Sequence, residues 1–144
     1  MKHQLIVPAA GSGKRLGFEC PKALVDLSGK PLLVRTLERF IPLDLLDNAI
    51  IPVSPGHEAD FQDALTMAFP AVEFRFVAGG AERQQSVANA LSALDADTDI
   101  VIVHDAARPF VADTAIQEVL QAAETFGAAT LAIPSIDTLS LIHI

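Results

Sequence analysis

The sequence predicts an α/β fold in which a mostly parallel central sheet lies between two layers of helices. Apolar runs alternate with amphipathic stretches in the order β, loop, α, β, α, β, α, β, α, β, the arrangement that a helix-covered parallel sheet requires. One run, "DIVIVHDAA", is nearly continuous in β-branched residues, the pattern of a central strand buried on both faces. The runs end in Gly, Pro or small residues, where strands feed loops. With 144 residues, 51% of them hydrophobic, the chain suits one domain with its own core.

The elements follow in order. Leu5 to Val7 form a short apolar strand that stops at Pro8 and the small residues Ala9, Ala10 and Gly11. "GKPLLVRTLERF" places Leu32, Leu33, Thr36, Leu37 and Phe40 on one helical face, with Pro31 in the first turn and Pro42 closing the helix. "NAIIPVS" is the second strand, although Pro52 marks that end as a sheet edge or a strand terminus. "GHEADFQDALTMAFP" is the next helix, its stripe Phe61, Leu65, Ala68 and Phe69, its stop Pro70. "VEFRFVA" is the third strand. "ERQQSVANALSAL" is a helix with Val87, Ala90, Leu91 and Leu94 inward. After the central fourth strand, Asp113 or Thr114 caps "AIQEVLQAAETF", and "AATLAIP" supplies a fifth strand beyond Gly127.

Composition excludes several classes. A formal net charge of −8 and a pI near 4.7 argue against a nucleic-acid partner, which calls for a basic face. No apolar run approaches the ~20 residues that span a bilayer, and the N-terminus lacks signal-peptide architecture, so no membrane partner is expected and the location expected is cytoplasmic. The single cysteine, Cys20, has no disulfide or CxxC partner and reads as a small packed residue. Charge is uneven: Lys2, Lys14, Arg15, Lys22, Lys30, Arg35 and Arg39 lie in the first 39 positions, so the anion-seeking part is expected there.

Ligands of parallel sheets bind beyond the carboxyl ends of the strands, which directs attention to Pro8–Lys22, Gly79–Ser86 and His104–Pro109. "PAAGSGKRLGFECPK" fails the dinucleotide spacing because Leu16 stands where the third glycine belongs, and it fails the P-loop spacing too. Gly11 and Gly13 can bring backbone amides close to an anion, and Lys14, Arg15 and Lys22 supply charge, a combination that suits a polyphosphate. The plain alternative is a tight turn with a solvated Lys–Arg pair. Gly79, Gly80, Arg83 and Ser86 could read the polar edge of a base, or simply make a β–α turn. Asp105 can ligate Mg²⁺ beside phosphate oxygens, or else cap a helix or pair with Arg108. His104 faces the other side of the strand and reads as a core residue. His57 caps a helix or faces solvent.

Taken together, "VPAAGSGKRLG", "CPK", "GGAERQQSV" and "VHDAARP" resemble the cytidylyltransferases of the non-mevalonate isoprenoid pathway, from Leu5 to about Thr138. The resemblance implies a Rossmann-like three-layer α/β/α nucleotidyltransferase fold and transfer of CMP from CTP to 2-C-methyl-D-erythritol 4-phosphate, with pyrophosphate leaving. It implies that Ala9, Ala10, Gly11 and Gly13 wrap the CTP phosphates, that Lys14 adds phosphate binding, and that Arg15 and Lys22 stabilise the transition state. Gly80, Arg83, Ser86 and Ala106 would line the cytidine pocket. Asp105 would hold Mg²⁺, and Arg108 and Thr138 would help receive the second substrate. Ala81 stands where some members carry Asp, which removes any side-chain contact to the base from that position.

Members of that family continue through a β-arm that forms a homodimer and a later segment with further basic and metal-binding groups. Here "PSIDT" is followed by "LSLIHI", which resembles adapter read-through. The expectation is a nucleotidyltransferase domain over 1–138, incomplete at its C-terminus, and a non-native tail over 139–144. Three other readings stand beside it: a cytidylyltransferase for ribitol 5-phosphate or another polyol phosphate, a CTP-binding fragment without turnover, and a nicotinamide oxidoreductase. The last is disfavoured by Leu16 and by the Lys14–Arg15 pair.

Overall fold

The computed structural model describes residues 1–11 and 20–134. The chain divides into two compact units, Met1–Asp113 and Thr114–Ile144. The first holds four strands, β1 (His3–Ile6), β2 (Ile50–Val53), β3 (Arg75–Ala78) and β4 (Ile100–Val103), paired in the order β3-β2-β1-β4. Every pairing is parallel. Three helices connect them: α1 (Leu32–Leu37), which tightens into a 3₁₀ segment at Glu38–Leu43, α2 (Glu58–Ala68) and α3 (Arg83–Leu91).

Strand alternation assigns the faces. Ile6 and Ile50 pack with Ala90 of α3, joined by the half-buried Val77, Ala93, Leu94 and Val101. Leu5, Val7, Ile51 and Val53 point the other way and are also fully buried; right-handed crossovers between parallel strands put α1 and α2, with their buried Leu33, Leu37, Phe61 and Leu65, on that side, opposite α3. Each such aliphatic side chain contributes roughly 1.5–3 kcal/mol on burial. The expected helix–sheet–helix layering is thus present, and the carboxyl ends of all four strands lie along one edge of the sheet.

Several elements differ from expectation. β2 is an interior strand, and Pro52 fits because it lies one residue from the strand's end, with its carbonyl accepting from the Ala9 amide at 2.8 Å. Among the described residues β4 pairs with β1 alone, and Val103 is 41% exposed. Pro42 does not end its helix. It lies one residue before the end of the 3₁₀ segment, and the chain turns at Asp44, whose φ is 56°.

Val34 joins the buried face of α1, while Ala68 and Leu91, expected inward, are exposed. A turn not foreseen, Leu27–Lys30, places Ser28 and Gly29 at φ 57° and 84°, the two positive values of a type I′ turn.

The described part of the second unit carries the body of α4 (Asp113–Phe126), closed by Gly127 at φ 84° with its amide on the Ala123 carbonyl at 2.8 Å, the usual left-handed stop. Residues 128–134 are exposed and form no strand, contrary to the expected fifth. Alternating hydrophobicity gives a segment strand propensity, but a strand exists only when its backbone finds a ladder partner. Among the described residues no helix is long and apolar enough to cross a membrane.

A candidate nucleotide-binding cleft

The chain leaving β1 is pinned to the end of β2. Ala9 donates to the Pro52 carbonyl at 2.8 Å, and Ser54 Oγ donates to the Ala10 carbonyl at 2.7 Å. Gly79, whose amide reaches the Val53 carbonyl at 2.7 Å, makes room for this: a Cβ on it would lie 2.2 Å from that of Ala10. The Lys22 amide donates to the Gly11 carbonyl at 3.3 Å, closing the loop at its base. Pro21, at φ −53°, leads directly into the 3₁₀ turn Lys22–Leu24, which fixes the backbone from which the Lys22 side chain projects.

Beyond β3 the backbone is tied to the start of α3. Gly80 donates to Ser86 Oγ at 3.0 Å, Ala81 donates to Gln85 Oε1 at 2.9 Å, and the Ser86 hydroxyl donates to the Glu82 carbonyl at 3.2 Å. Ser86 is 3% exposed. In this state its hydroxyl shapes the loop from within.

Beyond β4, Asp105 lies between two guanidinium groups. Its Oδ1 accepts from Arg83 Nε at 3.0 Å and Nη2 at 2.8 Å, and its Oδ2 forms an ion pair with Arg108, Nε lying 2.9 Å away. Partial burial works to raise the carboxyl's pKa, but the hydrogen bonds and charge of Arg83, with the charge of Arg108 and His104, outweigh it and hold the group below the usual range. Thr36 Oγ1, fully buried in α1, donates to the Ala106 carbonyl at 2.8 Å. His104 is half-buried, edge-on to Phe40 with centroids 5.1 Å apart, and its Nε2 donates to the Arg108 carbonyl at 3.0 Å. It supports the turn from behind.

These three strand ends surround one cleft of about 490 Å³, a size suited to a small-molecule ligand. Ala9, Ala10, Gly11, Lys22, Gly80, Arg83, Ser86, Asp105, Ala106 and Arg108, all nominated from sequence, line it. Gly13, Lys14, Arg15 and Thr138 lie outside the described residues. Pro8, Ala23, Ala81, Glu82 and Ala107 also line it. Pro8, Ala81, Glu82 and Ala107 sit inside or next to the quoted motifs, and Ala23 directly follows Lys22. Sequence reasoning passed over Ser54 because it searched the ends of the first, third and fourth strands and not the second.

The charge asymmetry has a different meaning from the one expected. Lys2 pairs with Asp95 and Asp97, Lys30 with Glu38, and Arg39 with Asp113, while Arg35 donates to the Leu27 and Ser28 carbonyls. Of the described cations in the first 39 positions, Lys22 alone lines the cleft. His57 sits at the N-cap of α2 and bonds Asp60 at 3.0 Å, clear of the cleft. Cys20 is exposed, not packed as expected.

Comparison with known proteins places this cleft in context. The family described as IspD: 2-C-methyl-D-erythritol 4-phosphate cytidylyltransferase matches residues 3–143. The 2-C-methyl-D-erythritol 4-phosphate cytidylyltransferase of Syntrophus aciditrophicus (strain SB) is 37% identical over 96% of this chain and 59% of its own. The enzyme of the same name from Symbiobacterium thermophilum is 43% identical over 94% and 56%. The chain spans about three fifths of the length of the curated relatives it matches.

A crystal structure of 4-diphosphocytidyl-2C-methyl-D-erythritol synthase superposes with a TM-score of 0.76 at 29% identity, covering 99% of this chain and 64% of that one. The synthase from Anaerococcus prevotii gives a TM-score of 0.71 at 25% identity, over 85% and 51%. Four motifs, a parallel sheet with its cleft at the carboxyl edge, and relatives alike in sequence and in fold lead to one assignment: the chain belongs to the 2-C-methyl-D-erythritol 4-phosphate cytidylyltransferase family.

Proposed function

We propose that this chain forms the nucleotide-binding part of a cytoplasmic cytidylyltransferase, which transfers CMP from CTP to 2-C-methyl-D-erythritol 4-phosphate. The observation that carries this reading is the convergence of Lys22, Arg83, Asp105 and Arg108 with the backbone of Ala9–Gly11 on one cleft. In the reaction a phosphate oxygen of the acceptor attacks the α-phosphorus in line, a new P–O bond forms, and the bond to the β-phosphate oxygen breaks to release pyrophosphate. Such chemistry needs orientation and fixed positive charge more than a covalent intermediate.

Each group has a role in this reading. The Ala9–Gly11 backbone, extended by Gly13 and Lys14, cradles the triphosphate. Lys22 and Arg15 neutralise charge growing on the α-phosphoryl oxygens. Gly80, Ala106 and Ser86 border a base pocket in which small residues leave space for a pyrimidine. Arg108 and Thr138 orient the acceptor phosphate.

Asp105 is a fitting ligand for Mg²⁺: a single hard carboxylate, kept ionised by its neighbours and open to the cleft, suits an ion that takes one or two carboxylates plus phosphate oxygens. Bound there, Mg²⁺ would screen the phosphate charges. Arg83 and Arg108 can move from Asp105 to those phosphates, which accept guanidinium forks equally well.

The test is pyrophosphate release from matched pairs of nucleoside triphosphate and polyol phosphate with Mg²⁺. CTP with methylerythritol phosphate is expected to win; preference for UTP, GTP or ribitol 5-phosphate would overturn the assignment. Binding of CTP without release would identify this chain as the nucleotide-binding portion alone. The homodimer expected of the longer protein is checked by light scattering on the full-length chain.

A further inference from the structure

Two edges of the cleft are built in the same way. At the end of β1, Ser54 Oγ donates to the Ala10 carbonyl at 2.7 Å. At the end of β4, Thr36 Oγ1 donates to the Ala106 carbonyl at 2.8 Å. Ala10, Gly11, Ala106 and Ala107 line the cleft, whereas neither hydroxyl residue does. The described peptide bonds are trans, and a trans peptide unit is planar, with its C=O and N–H pointing to opposite sides. A hydroxyl that holds the Ala10 carbonyl therefore aims the Gly11 N–H away from Ser54. One that holds the Ala106 carbonyl aims the Ala107 N–H away from α1.

Thr36 sharpens the argument. It is fully buried on the core face of a helix, where an aliphatic residue is the ordinary occupant and a hydroxyl is costly unless bonded. Its 3.1 Å approach to the Leu32 carbonyl is the common back-bond of a helical threonine. The shorter bond reaches 70 residues along the chain, to Ala106. Ser54 makes the corresponding long-range bond 44 residues back, to Ala10.

We infer that Ser54 and Thr36 are positioning residues, which fix the Gly11 and Ala107 amides as opposed donors to a bound polyphosphate. The inference rests on reading the cleft as a polyphosphate site. Neither residue touches the ligand. Each sets the orientation of one peptide unit, so each loss should be felt at its own amide and not at the other.

The experiment titrates the chain, labelled with nitrogen-15, with tripolyphosphate and Mg²⁺, following amide resonances and measuring affinity by calorimetry. In the unsubstituted chain the Gly11 and Ala107 amides both respond. Ser54→Ala is expected to lose the Gly11 response and keep that of Ala107, and Thr36→Val the reverse. Each should weaken binding about three- to tenfold, the scale of one hydrogen bond. Ser54→Thr and Thr36→Ser, which restore the hydroxyl, are expected to recover both the response and affinity to within about twofold.

Leu65→Ala, a core substitution in α2 that lowers stability without touching either hydroxyl, should leave both responses in place. Unchanged affinity and responses in Ser54→Ala and Thr36→Val would overturn the inference alone. So would simultaneous loss of both responses with no recovery in the hydroxyl-restoring variants. Absence of any polyphosphate binding by the unsubstituted chain would overturn it together with the reading of the cleft.

Discussion

At Asp105 one carboxylate pairs with two guanidinium groups that line the same cleft. Two hydrogen bonds from Arg83 and an ion pair with Arg108 hold the carboxylate, and in the proposed reading the same guanidiniums meet the triphosphate. Removing the charge while keeping the shape separates the two proposed roles: Asp105→Asn frees Arg83 and Arg108 but removes the carboxylate proposed to hold Mg²⁺. Metal-free CTP affinity should therefore be unchanged or tighter, while turnover with Mg²⁺ falls about 10²–10³-fold, the scale of one charged stabiliser. Calorimetry with and without Mg²⁺, beside pyrophosphate release from the full-length enzyme, checks both halves; a loss of metal-free binding would count against the exchange.

Lys22→Ala tests the other wall. It should cut turnover by about 10²–10³-fold with only a modest loss of CTP affinity, because its charge is needed most as the α-phosphoryl group reacts. Part of the Asp105 wall could be read from the chain, since Asp105 and Arg108 pair three residues apart. The Arg83–Asp105 contact spans 22 residues and depends on which strand ends become neighbours. No local pattern shows that.

At the scale of elements, the close approach of the β1 loop to β3 rests on Gly79. With a Cβ there placed 2.2 Å from Ala10 Cβ and 3.0 Å from the Val53 carbonyl, Gly79→Ala must push the loop or the strand aside. Overpacking of this kind costs about 1–3 kcal/mol. The thermal midpoint should fall, and CTP affinity should fall with it, because the displaced segment is the cradle itself. A variant with lowered stability and intact affinity would show that the loop accommodates the methyl group without moving.

The sequence located the strands because alternation and turn residues are local. For β4, the β-branched run records a preference for burial, while the number of neighbours is decided by topology. The sequence misjudged Leu91 for a related reason: α3 lies on the sheet through Ser86 and Ala90, a narrower stripe than its apolar residues suggest. Ser54 and Thr36 were passed over as site residues because they act through another residue's carbonyl, and such a bond leaves no trace in spacing.

In the molecule as a whole, charges at the two ends of the sheet do different work. The cleft lies at the carboxyl edge. At the amino edge, Lys2 bonds Asp95 and Asp97 at 3.1 and 2.7 Å, its amide bonds Asp99 at 2.8 Å, and Arg75 of β3 reaches Asp95 at 2.9 Å. Gln4, buried in β1, accepts from the Asp95 amide at 3.0 Å and from Thr98 Oγ1 at 2.8 Å. The turn before β4 is thereby fastened to β1 and β3.

The hydrogen bonds from Lys2 and then Arg75 hold Asp95 below its ordinary pKa, Lys2 does the same for Asp97, and these two aspartates raise Lys2. A depressed carboxylate lends stability above its unfolded pKa and loses it as pH falls through the folded one; a raised lysine lends stability below its unfolded pKa and loses it as pH rises through the folded one. Both contributions are present together in the range between, so the urea midpoint should be flat from about pH 5 to about pH 9 and decline on either side.

Asp105 adds to the acid limb by the same sign. Asp95→Asn should lower the plateau and make the acid limb shallower, because one group that must be protonated against its partners is gone. Lys2→Met should lower the plateau and weaken the alkaline decline. An acid limb in Asp95→Asn as steep as that of the unsubstituted chain would show that Asp95 does not govern acid stability, and would leave Asp97 and Asp105, the other two depressed carboxylates, to carry it.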